Sequence, residues 1–191
     1  MLMRNFGGFK GLLRLLLTQA DYVLGPAVKF TRPDLSKVDR LVFVCLANLK
    51  RSAFAQAVGV QAGLNAASFG LQAQTGRSPS ARSVDIAGEL GCPIGSHQAT
   101  NLPDFEPAAG DLYLVMESRH AYHLVRQGFP PERVALLGHW ARPQRLHIQD
   151  PYRMDDDYMR SCFALIRSAV LNLGRELRQL GRVPYRAPAT P

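Results

Sequence analysis

The chain has 191 residues, of which 47% are hydrophobic and 20% charged. These proportions are ordinary for a globular protein, so they exclude a fibrous or disordered chain and favour one core with an extension. The net charge of +8 attracts nucleic acid, anionic lipid and phosphorylated ligands alike. The basic residues are not interleaved with aromatic ones as in nucleic-acid-binding modules, so we expect no nucleic-acid partner.

Cysteine usage and hydropathy narrow the setting of the protein. Cys45, Cys92 and Cys162 are odd in number and far apart in the chain, which argues against a disulfide framework and against a Cys-x-x-Cys metal site. We therefore expect a reducing compartment and a cytoplasmic location. No apolar run approaches the roughly 18 residues that a bilayer span needs, so an integral membrane protein is not expected.

Residues 1–37 form a basic extension that contains a predicted amphipathic helix. On a helical projection a polar stripe separates from a wide apolar face. The stripe contains Lys10, Arg14, Thr18 and Asp21, and the apolar face contains Phe6, Phe9, Leu13, Leu16, Leu17, Ala20 and Leu24.

The sequence leaves three roles open for this helix. Its apolar face would pack against the domain or a dimer partner, since apolar stripes are usually buried. It would alternatively lie in the interface of a membrane, or belong to a cleaved targeting peptide. Peripheral membrane contact and dimerisation through residues 1–37 therefore both stay open.

Residues 38–182 predict an α/β domain in which strands alternate with helices. Four strands separated by helices indicate an open parallel sheet of four strands with helices on both faces. Residues 183–191 form a Pro-rich tail. The strands are expected at 41–45, 66–70, 112–116 and 133–137, and the helices at 51–63, 81–90, 119–126 and 156–180.

The loop from Cys45 to Ser52 joins the first strand to its helix and carries the strongest chemical signal. Its backbone N–H groups, in residues Leu46, Ala47, Asn48, Leu49, Lys50 and Ser52, can converge on one anion at the helix N-terminus. The same field stabilises a thiolate at Cys45. Arg51 can offer two parallel N–H bonds to phosphate oxygens, and Ser52 can donate a hydrogen bond to the sulfur.

The segment Val-Phe-Val-Cys45-Leu-Ala-Asn48-Leu-Lys-Arg51-Ser52 resembles the Cys-(X)5-Arg-Ser loop of low-molecular-weight protein tyrosine phosphatases. Asp150-Pro151-Tyr152 resembles the Asp-Pro-Tyr loop of the same family. The resemblance implies that Asp150 protonates the departing phenolate and then activates water, while Tyr152 forms a wall beside the substrate.

Two supporting residues follow from the same resemblance. His97 matches a family position that supports the loop through its Asn and Ser, and Asn48 matches a residue in a left-handed turn. Asn tolerates that backbone conformation better than most residues. The roles of both residues are therefore expectations about the shape of the loop.

The resemblance implies hydrolysis of phosphotyrosine in a phosphorylated protein substrate through a phosphocysteine intermediate, with no metal and no other cofactor. Two alternatives remain. Protein arginine phosphatases have a similar loop with Thr in place of Leu49, and a catalytically weak phosphate-binding module would fit the replacements Ala47, Lys50 and Ala73. A basic rim around the pocket is also expected, from Arg77, Arg142, Arg145 and Arg153.

Overall fold

The computed structural model describes residues 8–23, 25 and 28–182. The Pro-rich tail at 183–191 lies outside the described residues, as do Phe6 and Leu24 of the predicted amphipathic helix.

The sheet has four parallel strands in the order β2-β1-β3-β4. The central strands are apolar because they are covered on both sides, and every residue of β3 is buried. The predicted fold class is confirmed, and each strand lies within two residues of its expected position. The strands are β1 Arg40–Cys45, β2 Ala66–Gly70, β3 Asp111–Val115 and β4 Val134–Leu136.

Five α-helices are present in the described residues, and they cover both faces of the sheet. Phe43 faces a core cluster that includes residues of α2, α3 and α5, whereas Val42 and Val44 face a second cluster that includes residues of α4. Both faces of the sheet are therefore covered by apolar side chains. The helices are α1 Gly8–Val23, α2 Arg51–Gln61, α3 Ala81–Glu89, α4 Ser118–Arg126 and α5 Asp156–Gln179.

The strand order places a topological switch point at the carboxyl end of β1. The chain runs from β1 through α2 to β2 on one side, whereas β3 lies on the other side of β1. Ligands of open α/β sheets bind in the crevice at such a point. Cys45 is the last residue of β1 and pairs with Gly70 of β2, so the predicted loop begins at this crevice.

Helix α1 uses its small and polar residues to contact the domain. Gly11 and Thr18 are buried, whereas the described side chains of the predicted apolar face point to solvent. These side chains therefore do not pack against the domain, and packing against a dimer partner stays a prediction. The exposed fractions are 71% for Phe9, 44% for Leu13, 56% for Leu16 and 61% for Leu17.

Within the described part of the chain, no helix combines the length and the apolar character that crossing a bilayer requires.

Candidate active site

The loop that follows β1 holds Cys45 next to a hydroxyl group. The Sγ atom of Cys45 is 3.0 Å from Oγ of Ser52, and both residues are buried. Ser52 is the second residue of α2, whose first turn contains no acidic side chain. The positive end of the α2 dipole therefore acts on the sulfur without a competing carboxylate from the helix itself.

The carbonyl groups of the loop bond to residues outside it. Those of Cys45 and Leu46 accept hydrogen bonds from the backbone N–H groups of Leu71 (3.0 Å) and Gln72 (2.8 Å). Because a trans peptide holds its C=O and the following N–H in opposite directions, the N–H groups of Leu46 and Ala47 point away from β2. They therefore face the cavity, as an anion site built from backbone amides requires.

Asn48 fixes the shape of the loop. Its φ of 54° lies in the left-handed region. Its side-chain Nδ2 donates to Oγ of Ser52 (2.8 Å) and of Ser68 (2.7 Å), and its Oδ1 accepts from the N–H of Thr100 (2.9 Å). Nε2 of His97 lies 2.8 Å from the backbone oxygen of Asn48.

His97 thus contacts the loop through the backbone of Asn48, and Ser68 of β2 supplies the second hydroxyl of the network. Burial lowers the pKa of His97, against the raising effect of its bond to Asn48, so the ring is neutral at pH 7 and donates from Nε2 to the carbonyl. Sequence reasoning missed Ser68. A polar residue inside an otherwise apolar strand, immediately before Phe69, was the available signal.

Arg51 is buried and is held from three directions. Only 1% of its surface is exposed. Nη1 donates to Oε1 of Glu117 (2.7 Å) and to the carbonyl of Ile148 (2.9 Å), while Nη2 donates to Oδ2 of Asp150 (2.7 Å). Burial works against the charge, but the two carboxylates outweigh it and raise the pKa of Arg51. The guanidinium is therefore permanently charged and fixed in orientation.

Glu117 is a site residue that the sequence analysis missed. It lies two residues after the buried strand β3, at the carboxyl edge of the sheet, and 1% of its surface is exposed. Burial favours its neutral form, yet Arg51 and other nearby groups lower its pKa well below the usual range. An acidic residue placed directly after the apolar strand expected at 112–116 was the signal in the sequence.

Asp150 is bound to Arg51 and to a backbone N–H group. Its Oδ2 accepts from Nη2 of Arg51, and its Oδ1 accepts from the backbone N–H of Tyr152 (3.0 Å). The second bond forms a tight turn over Pro151, which orients the carboxylate. The structure therefore brings Cys45, Arg51 and Asp150 together at one end of the sheet.

A cavity of about 460 Å³ opens above the loop. Tyr152 stands at its rim with 60% of its surface exposed, and the ring lies between two cations, Nζ of Lys50 (4.9 Å to the ring centroid) and Cζ of Arg153 (5.3 Å). The cavity is lined by Cys45, Leu46, Ala47, Leu49, Lys50, Arg51, Arg77, Ser78, Ser80, Asp150 and Tyr152.

The rim of the cavity is thus basic, but the residues that supply its positive charge differ in part from those expected. Arg77 lines the cavity and Arg153 contacts Tyr152, as the basic-rim expectation required, and Lys50 adds a further charge. Arg142 lies beside α5 instead, where its N–H donates to Oγ of Ser168 (3.0 Å).

No group of three or more His, Cys, Asp or Glu side chains suited to a metal ion occurs in the described ranges 8–23, 25 and 28–182. Cys45, Cys92 and Cys162 are all free thiols.

The sequence profile of the low molecular weight phosphotyrosine protein phosphatase family matches residues 40–182. This chain belongs to that family. It is accordingly a cysteine-dependent phosphatase, and the matched range contains the Cys45 loop, Glu117 and Asp150.

Two curated relatives illustrate the similarity. The probable low molecular weight protein-tyrosine-phosphatase AmsI of Erwinia amylovora is 31% identical over 137 residues, which are 69% of this chain and 92% of AmsI. The low molecular weight protein-tyrosine-phosphatase Wzb of Salmonella typhi is 33% identical over 139 residues, or 69% of this chain and 89% of Wzb.

Solved structures show the same fold. The crystal structure of AmsI superposes with a TM-score of 0.63 at 26% identity, covering 73% of this chain and 93% of AmsI. The arginine phosphatase YwlE superposes with a TM-score of 0.64 at 21% identity, covering 73% of this chain and 96% of YwlE. At that identity the likeness to YwlE concerns the fold alone.

Proposed function

We propose that this protein hydrolyses phosphotyrosine in phosphorylated proteins, with Cys45 as nucleophile, Arg51 as phosphate ligand and Asp150 as general acid and base. The observation that carries the proposal is the convergence of these three side chains at the carboxyl end of β1. Arg51 contacts Asp150 at 2.7 Å, and Cys45 lies at the N-terminus of the helix that Arg51 begins. Relatives named as tyrosine phosphatases support the substrate class.

The first step transfers the phosphoryl group to sulfur. The Cys45 thiolate attacks phosphorus, the bond between phosphorus and the phenolic oxygen breaks, and Asp150 in its protonated form gives its proton to the departing oxygen. The loop amides of Leu46, Ala47, Asn48, Leu49 and Lys50 and the Arg51 guanidinium hold the three non-bridging oxygens. Because these donors are already oriented, little reorganisation is needed as charge redistributes.

The second step releases inorganic phosphate. Water attacks the phosphocysteine, Asp150 now accepts a proton from that water, and the phosphorus–sulfur bond breaks to return the Cys45 thiolate. Ser52, 3.0 Å from the sulfur, donates a hydrogen bond to the leaving thiolate. No metal enters either step.

The cavity rim supports an aryl phosphate flanked by acidic residues. Tyr152 offers a ring face beside the nucleophile, and Lys50, Arg77 and Arg153 surround the opening with positive charge. A phosphotyrosine ring can pack against Tyr152 while neighbouring carboxylates meet the cations. Leu49 adds an apolar wall, which favours an aryl group over a charged guanidinium.

The test is hydrolysis of phosphotyrosine peptide, p-nitrophenyl phosphate and phosphoarginine without added metal, with wild type, Cys45→Ser and Asp150→Asn. We expect turnover of both aryl phosphates, loss of turnover in Cys45→Ser, and a labelled phosphocysteine that is trapped by rapid acid quench in wild type only.

Other outcomes would assign the alternatives. Faster turnover of phosphoarginine than of the phosphotyrosine peptide would make the protein an arginine phosphatase. Tight binding of phosphate without turnover of any substrate would make it a phosphate-binding module. Turnover that persists unchanged in Cys45→Ser would overturn the mechanism.

We also propose that helix α1 holds the protein at an anionic membrane surface. The exposed side chains of Phe9, Leu13, Leu16 and Leu17 share one face of the helix, while residues 1–20 carry Arg4, Lys10 and Arg14 and no acid. Apolar side chains that enter the headgroup region, with basic residues beside them, are the pattern of an interfacial helix.

Co-sedimentation of the full chain with vesicles tests this docking. We expect binding to vesicles of phosphatidylglycerol and phosphatidylcholine in equal parts, weaker binding to pure phosphatidylcholine, and loss of binding in Leu16→Ser. The matched control is Val60→Ser, because Val60 is comparably exposed (58%) on α2. A dimer in sedimentation velocity that Leu16→Ser dissociates, with no vesicle binding, would assign the face to self-association instead.

A further inference from the structure

A second face of α1 contacts the loop that carries Asp150. Nη1 of Arg14 donates to the side-chain Oε1 of Gln149 (3.2 Å), the residue immediately before Asp150. Nε2 of His147 lies 3.1 Å from the same oxygen. One amide oxygen therefore joins α1, the loop and His147.

The backbone of this loop is fixed on its inner side. The N–H of Ile148 donates to the carbonyl of Met116 (2.9 Å), and the Ile148 carbonyl accepts from Arg51. The carbonyl of Gln149 accepts from the hydroxyl of Tyr158 (3.1 Å). The side chain of Gln149 points the other way, toward α1, so the outer side of the loop is held through its amide group.

The packing between α1 and the loop is open enough for this polar contact to matter. Arg14, Thr18, Glu117 and His147 line a cavity of about 340 Å³ between the helix and the domain. Thr18 is buried, so the helix is seated, and Leu17 is the apolar residue of the cavity lining. The bond from Arg14 to Gln149 is a direct polar contact between the two elements across this space.

We propose that Arg14 is a positioning residue for catalysis: through Gln149 it holds the Asp150 carboxylate where it can protonate the leaving group. This role rests on the function proposed above. Arg14 itself lies outside the range that the family profile matches, which begins at residue 40. Burial lowers the pKa of His147, so the ring is neutral at pH 7 and donates its Nε2 hydrogen to Gln149 alongside Arg14.

The consequence is specific to the leaving group. A phenolate needs the proton of Asp150 to depart, whereas p-nitrophenolate leaves readily without it. A displaced Asp150 therefore lowers kcat/KM for phenyl phosphate more than for p-nitrophenyl phosphate. A general loss of folding or of phosphate binding would lower both values equally.

The experiment compares the ratio of kcat/KM for phenyl phosphate to that for p-nitrophenyl phosphate in the full chain. We expect Arg14→Gln to lower this ratio about three- to fivefold, which lies within the net contribution of one ordinary intramolecular hydrogen bond. Arg14→Lys, which keeps a charged donor, should restore the ratio to within about twofold of wild type. Arg126→Gln, the same change at the end of α4, is the matched control and should leave the ratio unchanged.

A double-variant cycle locates the effect. Gln149→Met removes the acceptor at similar length, and we expect it to lower the ratio as Arg14→Gln does, with no further change in the double variant. An unchanged ratio in Arg14→Gln overturns the proposal, and this includes an equal loss of kcat/KM on both substrates.

Asp150→Asn separates this proposal from the one on which it rests. If Asp150→Asn lowers the ratio strongly but Arg14→Gln does not, only the role of Arg14 is wrong. If Asp150→Asn leaves the ratio unchanged, Asp150 is not the general acid and both proposals are wrong.

Discussion

Arg51 connects every part of the candidate site. Its planar guanidinium has enough donors to bind Glu117 and the Ile148 carbonyl with one nitrogen while it presents another to Asp150. A lysine in its place would offer one point of charge and could not satisfy groups in three directions. Glu117 therefore sets the orientation of Arg51, the proposed phosphate-binding residue, although Glu117 does not itself touch the reacting atoms.

We predict that Glu117→Gln lowers both stability and kcat. The change leaves Arg51 buried beside a neutral amide, and loss of one partner of a buried ion pair costs about 3–5 kcal/mol of unfolding free energy. A guanidinium that is less well fixed should lower kcat at least about tenfold. Urea unfolding and steady-state kinetics measure the two effects.

The control for Glu117→Gln is Glu89→Gln, because Glu89 pairs with Arg160 at 2.8 Å on the exposed surface of α3 and α5. Solvent screens such pairs, so we expect Tm and kcat to stay at their wild-type values. Equal effects of the two changes would contradict the importance of burial for the Arg51 pair.

We predict that two substitutions of Asn48 separate the loss of its side-chain hydrogen bonds from the strain of its backbone conformation. Asn48→Gly loses the side-chain hydrogen bonds to Ser52 and Ser68 but accepts the φ of 54° without strain. Asn48→Ala loses the same bonds and adds a strained backbone, so it should be less stable than the glycine variant by about 1 kcal/mol. Denaturant unfolding of both variants tests the order; alanine at least as stable as glycine would contradict it.

The proposed reacting groups could be selected from the sequence because they lie in short segments with fixed spacing. Cys45 to Ser52 is one continuous loop, and Asp150 is marked by the proline that follows it. Glu117 and Ser68 were missed because each is a single residue whose partner is far away in the chain. Only the parallel pairing of β1 with β2 and β3 brings them to the loop.

At the scale of elements, the position of the segment that leads to Asp150 depends on a close approach between two backbone segments. A Cβ atom at Gly138 would clash with the carbonyl oxygen of Arg145, and the N–H of Arg145 donates to the Gly138 carbonyl (3.1 Å). No side chain fits between them. The turn after β4 therefore fixes where the segment leading to Asp150 begins.

We predict that Gly138→Ala destabilises the protein by about 3 kcal/mol, because the carbonyl of Arg145 must move. The shift propagates toward Asp150, so kcat/KM for phenyl phosphate should fall as well. Thermal unfolding and the same kinetic assay measure both effects.

The paired control is Gly88→Ala in α3, where no heavy atom lies within 4 Å of the added Cβ. Alanine is the better helix former, so this variant should gain about 0.5–1 kcal/mol. If the two alanine variants have the same Tm, the close approach at Gly138 has no energetic role.

The elements themselves were predictable from hydrophobic periodicity, and the orientation of α1 was not. The strands and helices of the domain bury apolar residues with periods that the sequence displays. For α1 the period predicted the helix, but not which face meets the domain. That choice is made by the fit of Gly11 and Thr18 against distant residues, and by the bond from Arg14 to Gln149, which local sequence does not encode.

At the scale of the whole molecule, buried histidines link stability to pH. His120 is buried, neither ring nitrogen has a hydrogen-bond partner, and burial lowers its pKa to about 3. Its value in the unfolded chain is about 6.5. Between these two values the unfolded state binds a proton that the folded state does not, so stability falls as pH falls below about 6.5.

We predict that His120 alone removes about 2 kcal/mol of stability between pH 8 and pH 5. In His120→Gln the fall in unfolding free energy over this range should be smaller by that amount, while the contributions of His97 and His147, whose pKa values are also lowered, remain. Urea unfolding at several pH values measures both slopes. Parallel curves for the variant and wild type would contradict the prediction.

The ion pair between Arg51 and Asp150 makes ligand binding depend on the charge of the ligand. A ligand that bonds to Nη2 competes with the Asp150 carboxylate, so an incoming group with one negative charge brings no more charge than that carboxylate already does. A phosphate monoester brings two charges and can replace it, whereas a phosphodiester or a sulfate ester cannot compete as well. On the proposed mechanism we therefore expect the site to favour monoesters over the diesters of nucleic acids and lipids without any steric barrier.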